Sequence, residues 1–224
     1  MIITIDGPAG SGKSAAAELL AQRLNVPHLD TGAMYRAVAL LALQLGISAE
    51  NPDPQRLGQL AGSMKLTFDW STHPARVLLD GRDVSSDIRK PEVTAIVYLA
   101  AANTTVRTEL VHRQRQIAAS AGSLVTEGRD QGTVVFPNAD YKFYLDADIL
   151  VRARRRLAEL NRRQIAADLQ SLAADIQARD QRDKTRGVGA LLTAHDAIVF
   201  DTTALTLPQV VDAMAKIIGS KSHG

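Results

Sequence analysis

The chain has 224 residues, of which 46% are hydrophobic and 22% are charged, a balance typical of a globular protein and not of a disordered or collagen-like one. No stretch approaches the roughly 18 apolar residues of a membrane span, and the first ten residues lack the features of a signal peptide. Cysteine is absent, which excludes disulfides and thiolate zinc sites and favours a reducing compartment such as the cytoplasm. Ten of the 26 Lys and Arg residues fall within 151–186. This compact basic segment predicts a local anion site, and we expect neither nucleic acid nor a membrane as a partner.

The first quarter of the chain alternates strand and helix patterns. An apolar run at Met1–Ile5 predicts a strand, and after a Gly-rich turn the pattern of Ser14–Leu24 predicts a helix. A second strand is expected to end near Asp30, and a helix over Ala33–Leu45 follows. The cluster Asn51–Pro54 predicts a turn.

Residues 64–89 have the two-residue period of β structure. Leu66, Phe68 and Trp70 alternate with polar residues, and Asp80-Gly81 separates two short strand-like runs. This pattern predicts a β-hairpin with a primed turn, within a small β insertion. We expect Phe68 and Trp70 to belong to the core of that insertion.

The rest of the chain returns to alternating helices and strands. Residues 91–121 and 149–184 are predicted to be helical, and Pro208–Ile218 is predicted as a closing helix. Further strands are predicted at Ser123–Thr126, Tyr141–Leu145 and Ala197–Phe200. This alternation predicts an α/β fold with a five-stranded parallel sheet covered by helices on both faces.

A phosphate-binding loop follows the first strand, where G-x-x-x-x-G-K-[ST] is matched from Gly7 to Ser14. Its backbone N–H groups and the following helix N-terminus suit phosphate oxygens. We expect Lys13 to reach the β- and γ-phosphates of ATP and Ser14 to hold Mg²⁺. The fold is therefore predicted to be that of P-loop NTPases. The residues expected to bind ATP are Gly7, Pro8, Ala9, Gly10, Ser11, Gly12, Lys13, Ser14 and Ala15.

Three further motifs accompany this loop: Asp30-Thr-Gly-Ala-Met-Tyr-Arg36, Thr126–Pro137 and Arg179–Arg186. With the loop, they resemble the bacterial cytidylate kinase family over nearly the whole chain. The resemblance implies transfer of the γ-phosphate of ATP to CMP or dCMP by a cytoplasmic monomer. It also implies a division into a core (1–48, 90–150 and 187–224), a nucleoside monophosphate-binding β insertion (49–89) and a helical lid (151–186).

The resemblance implies a role for each matching residue. Lys13, Arg129 and Arg186 would be catalytic. The residues implied to bind the CMP phosphate are Arg36, Arg129 and Arg186, and those implied to bind the cytosine base are Arg107 and Asp130. Arg179 and Asp183 are implied to contact the sugar, and Thr31 would lie near base and phosphate. By its position alone, Arg107 would be a solvated helix residue.

The sequence departs from the family pattern at two positions that bear on the site. Glu127 stands where Asp is usual, and Tyr98 stands where a Ser or Thr commonly touches cytosine. We expect the Tyr98 ring to turn into the core, because it lies between Val97 and Leu99. Two alternatives stay open: the phenol reaches the base, or Thr94 lies near the base in its place.

Elementary chemistry supports the same reaction. A phosphate oxygen is an ionised nucleophile that needs no general base, so catalysis reduces to positioning and charge neutralisation by Arg, Lys and Mg²⁺. Asp130 can accept a hydrogen bond from cytosine N4, and Arg107 can donate to N3 or O2. Uracil has an acceptor at O4 and a donor at N3, so it does not match this pair. For most of the six Arg in Arg152–Arg163 we expect a solvated helix face, with one or two meeting ATP.

Two alternatives remain open from the residues. One is a related small kinase acting on UMP, AMP or another small acceptor. The other is a nucleotide-dependent switch without phosphoryl transfer, which the absence of the GTPase motif N-K-x-D disfavours.

Overall fold

The computed structural model describes residues 1–162 and 164–221, without the side chain of Lys221. Arg163 and residues 222–224, which fall in the predicted lid and core segments, lie outside the described residues. The chain divides into two compact units. The first unit comprises Met1–Val26 and the chain from Ser123 onward, and the second unit comprises Pro27–Gly122. No helix in the described ranges is long and apolar enough to cross a membrane.

The described elements are eight strands and eight α-helices. The strands are β1 (Ile2–Asp6), β2 (His28–Asp30), β3 (Leu66–Asp69), β4 (Arg76–Leu79), β5 (Arg82–Asp83), β6 (Leu124–Gly128), β7 (Tyr141–Asp146) and β8 (Ile198–Asp201). The helices are α1 (Lys13–Leu24), α2 (Thr31–Gln44), α3 (Pro54–Ser63), α4 (Pro91–Ala102), α5 (Thr104–Ala121), α6 (Ile149–Arg162), α7 (Leu169–Thr185) and α8 (Leu207–Lys221). A short 3₁₀ turn (Asp87–Arg89) and a π turn (Gln131–Val135) complete the chain.

The main sheet has the strand order β2-β6-β1-β7-β8. Strand β1 pairs in parallel with β6 and β7, and β7 pairs in parallel with β8. The predicted five-stranded parallel sheet is therefore confirmed. Alternate residues of β1 and β7, such as Ile3, Ile5 and Phe143, form one core with Leu20 of α1 and Met214 of α8. This packing fixes the point at which β1 ends and α1 begins, which is where the phosphate loop lies.

The second unit contains four helices, α2 to α5, and a three-stranded antiparallel sheet with the order β3-β4-β5. Leu79 pairs with Arg82 across a turn whose residues Asp80 and Gly81 have φ of 50° and 81°. Positive φ at both positions is what the type I′ primed turn requires, so the predicted hairpin is confirmed. The rings of Phe68 and Trp70 stack with centroids 6.0 Å apart in the same sheet region.

Two segments that were predicted as single helices are each divided by an N-capping residue. Asn103 separates α4 from α5, and its side chain accepts a hydrogen bond from Val106 N at 3.0 Å. Asp168 begins α7 in the same way by accepting from Ser171 N at 2.8 Å. Such caps start a new helix because they satisfy N–H groups that have no partner within the helix. Helix α3 was not predicted; it begins at Pro54, inside the cluster interpreted as a turn.

Candidate nucleotide-binding site

The phosphate loop joins β1 to α1 and has the backbone that the motif predicts. A Cβ atom at Gly7 would lie 2.1 Å from the carbonyl oxygen of Leu145, so no side chain fits there. Gly12 has φ of 91°, a conformation that favours glycine, and it caps the helix that starts at Lys13. The first N–H groups of an α-helix have no intrahelical partner. They are available to an anion at this end of α1.

Two arginines of α6 hold carbonyl groups of the loop. Arg152 Nη1 donates to Ala9 O at 3.0 Å, and Arg155 Nη1 donates to Ser11 O at 3.2 Å. In a trans peptide the C=O and the next N–H point in opposite directions. The N–H groups of the two glycines that follow Ala9 and Ser11 therefore point away from these guanidinium groups. This orientation suits them to bind phosphate oxygens.

Lys13 is buried, with 6% of its surface exposed, and its Nζ donates to Pro8 O at 3.2 Å. Burial, followed by the positive charge of Arg129, lowers the pKa of Lys13 to about 7, while Glu127 acts in the opposite direction. Near neutral pH the ammonium is therefore close to its midpoint of ionisation. An anion beside it would favour the charged form.

The neighbouring Ser14 contacts a buried carboxylate. Ser14 Oγ donates to Glu127 Oε1 at 2.8 Å, and Glu127, the fourth residue of β6, is 4% exposed. A hydroxyl and a carboxylate oxygen are the ligand types that Mg²⁺ takes in phosphoryl-transfer sites, together with water and phosphate oxygens. The pair therefore fits the magnesium ion expected from the sequence. In the described ranges, no group of three or more His, Asp or Glu side chains could hold a metal.

Predicted acceptor residues of the first unit meet around Asp183. Arg129 Nε donates to Asp183 Oδ2 at 2.7 Å, and Arg186 Nη1 lies 3.7 Å from Asp183 Oδ1. Burial raises the pKa of Asp183, but the charges of Arg129, Arg179 and Arg186 and the hydrogen bond from Arg129 together outweigh burial, and the net pKa is lowered. Arg179 acts on the charges of both Asp183 and Lys13. Three predicted arginines thus act on the carboxylate of Asp183, which in turn acts on the charge of the loop lysine.

Asp130 is buried beside a second carboxylate, that of Asp6 at the end of β1. Asp130 is 4% exposed and immediately precedes the π turn. Asp6 accepts from Gln131 N at 2.9 Å and from Gly132 N at 2.7 Å. Burial raises the pKa of Asp6 to about 6, against these two hydrogen bonds, and the charge of Asp130 adds to the rise. Asp6 thereby fixes the backbone that follows Arg129 and Asp130.

In the second unit, Arg36 of α2 is fixed by two acceptors. Its Nη1 donates to Thr94 Oγ1 at 2.7 Å and to Ile88 O at 3.3 Å. Thr94 donates in turn to Lys90 O at 3.1 Å. Thr31, the first residue of α2, is 3% exposed. The structure therefore brings Thr94 to a predicted phosphate-binding arginine.

Arg107 is buried and not solvated, in contrast to what its position alone suggested. It is 3% exposed, and its Cζ lies 5.7 Å from the ring centroid of Tyr35. A guanidinium group in this position interacts favourably with the aromatic face. Charged side chains are seldom buried so fully unless they are paired, and Arg107 therefore remains a candidate.

The prediction that the Tyr98 ring turns into the core is wrong, because Tyr98 is 40% exposed. Helix α4 buries Val93, Ile96 and Ala100, which recur at intervals of three and four residues. Tyr98 lies two positions from Ile96 and hence on a different face of the helix. Apolar neighbours in sequence are not neighbours on a helix surface.

Several residues that contact the site were not singled out from the sequence. One of them is Arg152, which is 7% exposed and contacts the loop. Arg154, by contrast, is exposed, as expected for most of the arginine run. No local signal distinguishes these two arginines. Asp180, the acceptor of Ala9 N at 3.0 Å, was also missed, although it lies between the predicted Arg179 and Asp183.

Comparison with known proteins supports these observations. The cytidylate kinase family model matches residues 3–220. A cytidylate kinase of Mycolicibacterium paratuberculosis is 41% identical, over 100% of this chain and 97% of its own length. One of Limosilactobacillus reuteri is 44% identical, over 96% of this chain and 94% of its own length. An uncharacterized protein from Eubacterium ventriosum is similar in fold, with a TM-score of 0.54 and 14% identity over 98% of each chain.

Proposed function

Since the chain belongs to the cytidylate kinase family, we propose that it transfers the γ-phosphate of ATP to CMP or dCMP, giving ADP and CDP or dCDP. One observation supports phosphoryl transfer independently of the membership in this family. The buried Lys13 of the phosphate loop lies in the field of Arg129, Arg179 and Asp183, so donor-side and acceptor-side charges share one unit. A reaction between two phosphate groups needs this concentration of cations.

The phosphate loop binds the donor in this proposal. N–H groups of the loop and of the start of α1 take phosphate oxygens, and Lys13 neutralises charge on the transferred group. Bound ATP also favours the charged form of Lys13, whose pKa burial lowers to about 7 in the free protein. The residues proposed to form the donor site are Gly7, Pro8, Ala9, Gly10, Ser11, Gly12, Lys13, Ser14 and Ala15.

Magnesium would be held by Ser14 together with the phosphates, with the carboxylate of Glu127 next to it. It would supply neutralisation of negative charge on the β- and γ-phosphates. Glu127 in place of the usual Asp keeps the carboxylate and lengthens its reach.

The acceptor phosphate is proposed to bind Arg36, Arg129 and Arg186. One of its oxygens attacks the γ-phosphorus while the bond from that phosphorus to the β-phosphate oxygen breaks, and ADP leaves with that oxygen. The planar fork of each guanidinium matches the phosphate oxygens. The nucleophile is already ionised, and no side chain has to remove a proton.

Recognition of cytosine and the sugar completes the proposal. Asp130 accepts from the N4 amino group, and Arg107 donates to N3 or O2. Uracil, with an acceptor at O4 and a donor at N3, does not match this arrangement. Arg179 and Asp183 contact the sugar, and Thr31 lies near base and phosphate. Residues 49–89 would serve as the acceptor-binding insertion and 151–186 as a lid that excludes water and limits ATP hydrolysis. A monomer in the cytoplasm is part of the proposal.

A coupled ADP-release assay tests this function. The protein is given ATP and Mg²⁺ with CMP, dCMP, UMP, AMP or GMP in turn. We expect CMP and dCMP to give the largest kcat/KM. Faster turnover of UMP or AMP would assign the protein to a related kinase activity. ATP binding without release of ADP by any monophosphate would indicate a nucleotide-dependent switch and refute the proposal.

A further inference from the structure

The backbone of Ala9, the third residue of the phosphate loop, is held at both of its polar groups. Its N–H donates to Asp180 Oδ1 at 3.0 Å, and its carbonyl oxygen accepts from Arg152 Nη1 at 3.0 Å. The two side chains come from α7 and α6 and also form an ion pair with each other. A loop residue is thus bound by two helices that follow it by more than a hundred residues.

The ion pair itself is enclosed and well partnered. Arg152 and Asp180 are each 7% exposed, and Arg152 Nε also donates to Ala147 O at 2.9 Å. Two buried charges are tolerated only when they are paired and hydrogen-bonded. The Ala9 peptide groups and Ala147 O supply those hydrogen bonds, so the pair depends on the loop in its observed conformation.

Apolar contacts hold the same part of the loop. The Ala9 methyl group is in one hydrophobic cluster with Ala153 of α6 and Ile176 of α7. A Cβ atom at Gly10 would lie 3.2 Å from Arg152 Cβ, which shows how closely the loop approaches α6. The loop therefore has little freedom to rotate the peptide that joins Ala9 to Gly10.

The geometry points to Asp180 and Arg152 as positioning residues for ATP, acting through the Ala9 backbone. By holding Ala9 O outward, Arg152 presents the N–H of Gly10 to the phosphate side of the loop. Asp180 forms an ion pair with Arg152 and also accepts a hydrogen bond from the N–H of Ala9. Since α7 also carries Arg179 and Asp183, one helix orders the donor loop and the acceptor-side charges. This inference rests on the proposed function for the identity of ATP as the ligand.

The test is the affinity for ATP alone, measured by isothermal titration calorimetry without any monophosphate. Asp180→Ala should weaken ATP binding by roughly tenfold, the equivalent of losing a net hydrogen bond to a charged group. Asp180→Asn should be intermediate, because its amide oxygen still accepts from Ala9 N–H. The control Asp175→Asn removes an exposed carboxylate from the same helix and should bind ATP normally.

Arg152→Gln and its control Arg154→Gln form a second matched pair on α6. Only the first should weaken ATP binding, since Arg154 is exposed. If Asp180→Ala binds ATP as tightly as the unaltered protein, or raises the KM for CMP as much as that for ATP, the inference is wrong. ATP affinity is measured without CMP, so it is informative even if the protein phosphorylates no monophosphate.

Hydrogen exchange separates positioning from general destabilisation. In Asp180→Ala without nucleotide, amides of residues 7–14 should exchange faster, while those of β1 and β7 should keep their protection. A uniform increase across the first unit would mean that Asp180 serves folding alone. That result would overturn the inference even if ATP affinity fell.

Discussion

Arg129 donates from Nε to the carboxylate of Asp183 at 2.7 Å, although the two residues are 54 positions apart. Both side chains are largely buried, with 14% and 16% exposed. Burial raises the pKa of Asp183, but Arg129, Arg179 and Arg186 together lower it on balance, so this carboxylate is ionised at neutral pH. An anchored arginine presents its remaining N–H groups in a fixed direction. We infer that Asp183 orients Arg129 in addition to its proposed contact with the sugar.

Asp183→Ala should therefore raise the KM for CMP and dCMP and leave the affinity for ATP nearly constant. Steady-state kinetics with both acceptors and calorimetric titration with ATP measure the two effects. Asp175→Ala, which removes an exposed carboxylate from the same helix, should change neither. If only ATP affinity changed, this part of α7 would belong to the donor side.

Lys13→Met should reduce kcat by about a hundredfold or more, because it removes a cation that neutralises the transferred phosphoryl group. Folding should persist. Burial and Arg129 lower the pKa of Lys13 from 10.5 to about 7, so the unfolded chain binds this proton more tightly. The Lys13 contribution to the free energy of unfolding rises with pH between those values. The control for the kcat measurement is Lys184→Met, which removes an exposed amine from α7 and should leave kcat unchanged.

ATP binding at pH 8 should take up protons through Lys13. At that pH a group with a pKa of about 7 is mostly neutral, and the bound phosphates restore its charge. Calorimetry in two buffers of different ionisation enthalpy measures the protons taken up. The uptake should disappear in Lys13→Met, and equal uptake by both proteins would contradict this assignment.

Asp6 should give the free energy of unfolding a distinctive pH dependence. Burial raises the pKa of Asp6 from 3.8 to about 6, so the folded protein binds this proton more tightly than the unfolded chain. The stability contributed by this group is full below about pH 4 and is lost as pH rises through 6. The stability of the protein relative to Asp6→Asn should fall by up to about 3 kcal/mol between pH 4 and 7. Denaturant titrations at several pH values measure it, and a constant difference would contradict the shifted pKa.

Thr94→Ala should raise the KM for CMP several-fold with little effect on the KM for ATP, because Arg36 loses an acceptor at 2.7 Å. Thr94→Ser keeps the hydroxyl and should restore the KM. Thr108→Ala is a matched control, since Thr108 makes the same type of intrahelical bond, to Thr104 O at 3.1 Å, at an exposed position. Equal losses in the Ala and Ser variants would show that the hydroxyl does not position Arg36.

The sequence by itself determined the features that are encoded locally. The phosphate loop requires particular backbone angles within eight consecutive residues, so Gly7, Gly12 and Lys13 identify it without any tertiary information. The alternation of strands and helices similarly predicts the parallel sheet, and Asp80-Gly81 predicts the hairpin turn. In each case, neighbours along the chain supply the determining constraint.

Only the tertiary structure decided which charged side chains meet. Arg152 and Arg154 lie in the same arginine run, and burial alone distinguishes the residue that holds the loop from the solvated one. Asp180 is 171 residues from Ala9, its hydrogen-bond donor. The exposure of Tyr98 likewise depends on which face of α4 is covered. Pairing of buried charges is a long-range effect, because the cost of desolvation is offset by whichever partners packing brings within reach.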